Sequence, residues 1–254
     1  GGKITEAAKL AAQADLVILV LGEPYDVTGE SRNRTDIGLP GSQWPLAEAV
    51  LATRKPVVTV LMNGRPLTIP ELKAACPTIL TIWHPGSEAG NALFDLLSGA
   101  EIPGGKLPMG WPEKVGQVPT YYNHKASGRP PVKGVDKYKL AYHDAPLAPL
   151  YPFGYGLSYS TFKIDNVERS SPEGVWPLEL ETVVSNTGTK AGDEVVQLYV
   201  SDEERTLTPP VKELKGFQRV RLQPGASQKV SFKLSKQDLT YIGPDMKRIF
   251  ERFP

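Results

Sequence analysis

The hydrophobic pattern of this 254-residue chain changes its period part-way along, and that change limits the folds open to it. Through roughly the first 110 residues, short apolar runs alternate with amphipathic stretches of helical period. Such repeated strand and helix units predict a mostly parallel sheet covered by helices, a three-layer α/β sandwich that is incomplete here. From Leu178 onward, apolar residues recur at every second position between turn signals. This pattern predicts an antiparallel sandwich of the immunoglobulin type.

Apolar spacing also predicts the individual elements. Leu16 to Leu21 are six consecutive apolar residues, which predicts a strand buried on both faces. Right-handed crossovers place the residues that follow the three strands, Glu23, Asn63 and His84, along one edge of the sheet. We expect ligands at that edge, where open α/β sheets bind them. The predicted helices are 4–14, 42–52, 67–75 and 87–97, and the predicted strands are 16–21, 57–62, 78–83, 178–184, 196–200, 211–222 and 230–234.

These patterns predict three segments. Residues 1–112 form part of an α/β domain, and residues 113–157 form a connector rich in proline, glycine and tyrosine. Residues 158–254 form the antiparallel domain, which ends before its last strand is complete. The aromatic residues of the segment from Tyr151 to Tyr159 are expected to join the connector to both domains, because aromatic side chains bury large areas.

Composition excludes several classes of partner. A formal net charge of +1 supplies no basic field for nucleic acid or an anionic membrane surface. No apolar run approaches the roughly 20 residues of a membrane helix, and no signal segment opens the chain. Cys76 is the only cysteine and is expected to be a small buried side chain. His84, His124 and His143 lack the spacing of metal ligands, so we expect no metal and no cofactor.

The loop from Gly22 to Pro40 carries two candidate catalytic carboxylates, Glu23 and Glu30. Glu23 follows the strand directly, so its side chain is expected to stay near the sheet edge. Glu30 lies seven residues further on and can project toward another domain, so reach favours Glu30. On spacing alone, a solvated Glu30 paired with Arg32 or Arg34 is an equally open interpretation, since surface ion pairs are common.

Five blocks of this sequence together carry a family resemblance. The blocks are Leu21 to Ile37 with Leu61 to Pro66, Trp83 to Gly90, Gly104 to Pro108, Tyr151 to Tyr159, and Val211 to Phe217. They resemble glycoside hydrolase family 3, occur in the family's order and cover essentially the whole chain, and they are most similar to the family's bacterial broad-specificity β-glucosidases. The resemblance implies part of the family's α/β sandwich domain followed by its fibronectin type III-like domain.

The resemblance implies a retaining β-glycosidase that hydrolyses terminal non-reducing β-D-glucosyl residues. Such enzymes use two carboxyl groups about 5 Å apart, one as nucleophile and one as acid/base. In this family the nucleophile is an aspartate on a preceding β/α-barrel domain, which this sequence lacks, and the acid/base lies on a loop of the α/β domain. Glu30 falls where the bacterial β-glucosidase-like members carry that residue. Other members place it directly after the strand, so Glu23 is the fallback.

The same resemblance implies the partners. The substrate is a β-glucoside or a β-linked oligosaccharide, and the β/α-barrel is supplied by an N-terminal domain or a partner chain. A homodimer is possible, and the family's location is periplasmic or secreted. The alternative function is a non-catalytic carbohydrate-binding or assembly module that is inactive as an isolated fragment. Arg65 is expected to serve domain packing and His84 to shape a loop.

Overall fold

A computed structural model describes residues 2–125, 142–202 and 206–251. Residues 126–141 of the predicted connector (113–157) lie outside the described residues. So do residues 203–205 and 252–254 of the predicted antiparallel domain (158–254). The chain divides into two compact units. The first consists of Gly1–Gly90, Gly110–Thr120 and Tyr142–Pro152, and the second of Asn91–Met109, Tyr121–Ala141 and Phe153–Pro254.

The first unit is built on a three-stranded parallel sheet, as the alternating pattern predicts. The strands are β1 (Val17–Gly22), β2 (Val57–Met62) and β3 (Ile79–Thr81), in the order β1-β2-β3. The third strand is shorter than the predicted 78–83. The helix predicted at 67–75 begins at Pro70, because a proline is favoured in the first turn of a helix. The helices are α1 (Gly2–Gln13), α2 (Gln43–Leu51), α3 (Pro70–Ala75) and α4 (Ala89–Ser98), the last of which runs across the division between the units.

The prediction that the first strand is buried on both faces is wrong. Leu19 and Leu21 are buried on one face, whereas Leu16, Ile18 and Val20 on the other are 50%, 47% and 54% exposed. The reason is that the described part of the chain leaves the second face of β1 largely uncovered. β1 is also an edge strand of the sheet. An unbroken apolar run reports that a strand is apolar on two faces but not that both faces are covered.

Aromatic side chains attach the later segments of the first unit to its sheet region. Trp111 is 2% exposed, and its ring centroid lies 5.8 Å from that of Trp83. Its indole N–H donates to the carbonyl of Leu67. The backbone N–H of Trp111 donates to the carbonyl of Tyr151 at 2.8 Å, and the two rings meet edge to face. Tyr151 therefore holds the end of the connector within this unit.

The second unit contains the antiparallel sandwich. The strand β6 (Leu178–Asn186) pairs with β9 (Ser227–Leu234), and β7 (Gly192–Val200) pairs with β8 (Glu213–Leu222). All four predicted strands are confirmed, with β6, β7 and β9 longer than predicted and β8 shorter. The short strands are β4 (Phe162–Ile164), β5 (Glu168–Arg169), β10 (Tyr241–Ile242) and β11 (Arg248–Ile249). The buried core comprises Val184, Val196, Leu198, Val220, Leu222, Val230, Phe232 and Leu234.

A buried asparagine organises the connection from β6 to β7. Asn186 is 1% exposed, and its side-chain Oδ1 accepts hydrogen bonds from Ser160 Oγ at 2.8 Å and from Gly188 N at 3.0 Å. Its Nδ2 donates to the carbonyls of Lys190 and Leu222 at 2.8 and 3.0 Å. Every hydrogen-bonding site of the amide is thus used, which is what a buried polar side chain requires.

Two expectations from composition can be compared with these ranges. Cys76 is 2% exposed and lies 3.3 Å from Thr59 Oγ1, so its predicted burial is confirmed. Of the helices in the described residues, none is long and apolar enough to cross a membrane.

Gly22 ends β1 with a φ of +140°, and a Cβ built there would lie 1.8 Å from the carbonyl oxygen of Met62. We expect Gly22→Ala to lower the free energy of unfolding by about 3 kcal/mol or more, since both the backbone and the neighbouring strand must shift. Gly41→Ala is the matched control, because its φ is +60° but nothing lies within 4 Å. It should cost only about 1 kcal/mol. Urea unfolding of both variants measures the difference, and equal losses would contradict the close approach.

Candidate active site

The residues that follow the three strands meet at one edge of the sheet, as predicted. Glu23 follows β1, and its backbone N–H donates to the carbonyl of Met62 at the end of β2 at 2.8 Å. Gly64 follows β2 and lies between Thr28, in the loop after β1, and His84, in the segment after β3. A Cβ at this position would lie 2.2 Å from Thr28 Oγ1 and 2.8 Å from His84 Nε2. A larger residue at this position would require the side chains of Thr28 and His84 to shift.

Glu23 is the buried anion of this edge, and its side chain is 0% exposed. Its Oε1 accepts a hydrogen bond from Arg34 Nη1 at 2.9 Å and forms an ion pair with Arg65 Nε at 3.1 Å. Its Oε2 accepts from the backbone N–H of Gly64 at 3.1 Å. A buried carboxylate is costly unless it is paired and hydrogen-bonded, and here both oxygens are engaged.

The two ends of the loop that carries Glu30 are fixed by side chains. At its start, the Gln43 side-chain amide accepts from Gly22 N at 2.7 Å and donates to Gly22 O at 2.8 Å. At its end, Arg34 Nη2 donates to the carbonyl of Gly38 at 2.9 Å. Gly38 forms a parallel bridge with Thr68. The pattern analysis did not identify Gln43, because an amide that binds a distant backbone leaves no signal in local spacing.

Arg65 contacts the middle of the same loop. Its Nη2 donates to the carbonyl of Val27 at 3.1 Å and to the carbonyl of Arg32 at 2.8 Å. The sequence analysis assigns Arg65 to domain packing, but these hydrogen bonds join it to a loop of its own unit. The backbone of Arg65 is also held, since Asn63 Nδ2 donates to its carbonyl at 2.8 Å.

Glu30 lies between those two contacts, in a turn closed by a hydrogen bond from Arg32 N to Gly29 O at 3.2 Å. Ser31, at the third position of this turn, has a φ of +59°, as in a type II turn. Glu30 is exposed, and its carboxylate forms no hydrogen bond or ion pair with any residue that the structure describes. The interpretation that it pairs with Arg32 or Arg34 is therefore wrong. Glu23 holds the Arg34 guanidinium, and no ion pair joins Glu30 to Arg32.

The two acidic candidates thus have different environments. The Glu23 carboxylate is inaccessible and already neutralised, while the Glu30 carboxylate is open to a molecule approaching the sheet edge. His84 is exposed beside them. Among residues 2–125, 142–202 and 206–251, no cluster of three or more His, Cys, Asp or Glu side chains could hold a metal ion. The chemistry that this edge offers is that of an exposed carboxylate on a fixed loop.

Comparison with known sequences identifies the family. The glycosyl hydrolase family 3 C-terminal domain matches residues 2–159, which is more than half of the chain. The chain belongs to glycosyl hydrolase family 3. A fibronectin type III-like domain matches residues 194–252, within the unit that holds the antiparallel sandwich. The α/β and fibronectin type III-like fold class predicted from the sequence is confirmed.

Relatives of this family 3 chain are named as glycosidases. It is 44% identical to a periplasmic β-glucosidase of Salmonella typhimurium over 96% of its length and 32% of that protein's. It is 41% identical to a β-xylosidase of Formosa agariphila, covering 97% of this chain and 34% of the relative. A mutant β-glucosidase from Listeria innocua, solved in complex with laminaribiose, superposes with a TM-score of 0.93 at 39% identity over 98% of this chain. The chain spans about a third of the length of each of these proteins.

Replacing the buried carboxylate should destabilise the first unit of the family 3 chain. Glu23→Gln leaves the guanidinium groups of Arg34 and Arg65 without a counter-ion, and we expect the free energy of unfolding to fall by about 3 kcal/mol. Glu48→Gln, at an exposed position on α2, is the control and should change stability by less than about 0.5 kcal/mol. Urea unfolding tests this. If the two variants unfold alike, the ion pairs at Glu23 contribute nothing.

Proposed function

We propose that this chain supplies the general acid/base, Glu30, of a retaining β-glycosidase that hydrolyses terminal non-reducing β-D-glucosyl residues. The observation that carries the proposal is the contrast between the two acidic residues of one loop. Glu23 is buried and engaged on both oxygens, whereas Glu30 is exposed on a turn and its carboxylate is free of partners among the described residues. This contrast supports Glu30, because an acid/base must be accessible in order to reach the glycosidic oxygen.

The proposed mechanism follows from double displacement at the anomeric carbon. In the first step Glu30 donates its proton to the glycosidic oxygen as the bond from that oxygen to the anomeric carbon breaks. The nucleophile carboxylate forms a bond to the same carbon. In the second step the Glu30 carboxylate removes a proton from water as the water oxygen attacks and the nucleophile leaves. The group therefore returns to its protonated form, and the anomeric configuration is retained.

The nucleophile is proposed to lie outside this chain, on the family's β/α-barrel domain. The support is that the chain covers only about a third of its glycosidase relatives and that its second loop carboxylate, Glu23, is inaccessible. Glucose is favoured as the sugar because relatives from Salmonella typhimurium and Listeria innocua are named β-glucosidases. A periplasmic or secreted location is proposed from the first of these names. The homodimer stays a prediction.

The acid/base role can be tested in a fused enzyme, in which residues 1–254 replace the matching 35% of the Listeria innocua β-glucosidase. Glu30→Gln should lower kcat/KM for methyl β-glucoside by about 10²- to 10⁴-fold, because its leaving group must be protonated. For dinitrophenyl β-glucoside, whose leaving group needs no proton, the rate of the glycosylation step should fall far less. Azide should react with the glycosyl-enzyme of Glu30→Ala to give the β-glucosyl azide.

The control is Asp26→Asn, which neutralises another exposed carboxylate of the same loop and should leave both substrates unaffected. If Glu30→Gln hydrolyses methyl β-glucoside at the rate of the unaltered fused enzyme, Glu30 is not the acid/base. A selective loss in Glu23→Gln instead would transfer the role to Glu23.

The origin of the nucleophile gives a separate prediction. The 254-residue chain alone should not hydrolyse dinitrophenyl β-glucoside above the background rate, because it holds one half of the carboxyl pair. Measuring release of dinitrophenolate at high protein concentration tests this, with the fused enzyme as the positive control. Turnover by the chain alone, abolished by Glu30→Gln, would place the nucleophile within these 254 residues. Binding of oligosaccharide without turnover would favour a carbohydrate-binding module.

A further inference from the structure

We propose that Arg65 is a positioning residue for Glu30: its guanidinium fixes the turn that carries the acid/base. This inference rests on the proposed function of Glu30. Arg65 has no contact with the Glu30 side chain. It acts instead on the backbone at both flanks of Glu30, through the carbonyls of Val27 and Arg32.

The two hydrogen bonds from Arg65 come from one atom. A single nitrogen, Arg65 Nη2, donates one hydrogen to Val27 O at 3.1 Å and the other to Arg32 O at 2.8 Å. The two carbonyls lie three residues before and two residues after Glu30. Binding both to one nitrogen closes the segment into a loop whose tip is the turn at Gly29–Arg32. The position of the tip is therefore set by where that nitrogen lies.

Contacts to buried residues hold the Arg65 guanidinium and backbone in place. Arg65 Nε lies 3.1 Å from Glu23 Oε1, so the guanidinium is anchored by an ion pair to a carboxylate whose side chain is completely buried. Asn63, with 0% exposure, holds the carbonyl of Arg65. Thr81 Oγ1 in turn donates to Asn63 Oδ1 at 3.1 Å. A continuous series of contacts thus runs from the sheet to the loop through Arg65.

A lysine at position 65 cannot reproduce this arrangement. A guanidinium offers donors in a rigid planar fork, so it can point Nε toward Glu23 while Nη2 points toward the loop. An ammonium group is a single point with rotating donors, and reaching Glu23 would withdraw it from one or both carbonyls. The need for a planar fork predicts that charge alone is not sufficient at position 65.

A positioning role predicts a specific kinetic pattern in the fused enzyme. A misplacement of about 1 Å can cost on the order of 10²-fold in rate, and here the misplaced group is a proton donor. Arg65→Met should therefore lower kcat/KM for methyl β-glucoside by about 10²-fold while kcat/KM for dinitrophenyl β-glucoside, which reports the glycosylation step alone, falls less than about threefold. Arg65→Lys should show the same selectivity with a smaller loss. Arg54→Met, which removes an exposed guanidinium from the first unit, should leave kcat/KM for both substrates unchanged.

A purely structural role gives a different pattern, because a smaller folded fraction lowers the rate of hydrolysis of both substrates by the same factor. Equal losses for the two substrates in Arg65→Met and Arg65→Lys would overturn the inference. The double variant Glu30→Gln/Arg65→Met should be no slower on methyl β-glucoside than Glu30→Gln alone, since Arg65 then has no acid to place. A further loss of 10-fold or more would contradict the inference.

The two hypotheses fail separately. If Glu30→Gln shows no selective loss on methyl β-glucoside, the proposed function fails, and the positioning role fails with it. If Glu30→Gln shows the selective loss and the Arg65 variants do not, only the positioning role is rejected. Arg65→Lys retains the positive charge beside Glu23, so it keeps the test available even if Arg65→Met does not fold.

Discussion

The buried carboxylate of Glu23 is the interaction on which the site depends. It has 0% side-chain exposure, accepts hydrogen bonds from Arg34 and the backbone of Gly64, and forms an ion pair with Arg65. Through these partners it orients both guanidinium groups, and each guanidinium then holds a different part of the Gly22–Pro40 loop. A single desolvated anion thereby coordinates two cations that could not otherwise be held so rigidly. Burying a charge has a cost, and the two guanidinium groups and the Gly64 N–H offset it here.

This arrangement separates two tasks between neighbouring carboxylates of one loop. Glu23 is buried and holds the loop in place. Glu30 is exposed to solvent and is proposed to act as the acid/base. Placing the reactive group in a turn rather than on the strand gives it reach, but a turn alone would leave its position undefined. The hydrogen bonds from Arg65 to the flanking carbonyls restore that definition. The loop therefore combines projection with rigidity, and neither requires the side chain of Glu30 itself to be restrained.

Sequence pattern predicted the strands and the meeting of Glu23, Asn63 and His84, because apolar periodicity and crossover handedness determine where strand ends fall. It did not predict which arginine pairs with which glutamate. Arg34 reaches Glu23 across eleven residues and Arg65 reaches it from another strand end, and such pairings depend on three-dimensional distance. Pattern also overestimated the burial of β1, because hydrophobicity describes a strand's faces and not its neighbours. Roles in catalysis came from family resemblance and not from spacing.

The uncovered face of β1 governs how the chain behaves in solution. Leu16, Ile18 and Val20 form an apolar strip along a strand with no pairing partner on its outer side among the described residues. A strand edge of this kind can template the addition of another strand. With a net charge of only +1, the chain has little electrostatic repulsion to keep copies apart. Colloidal stability near neutral pH therefore depends on whatever covers this one strand.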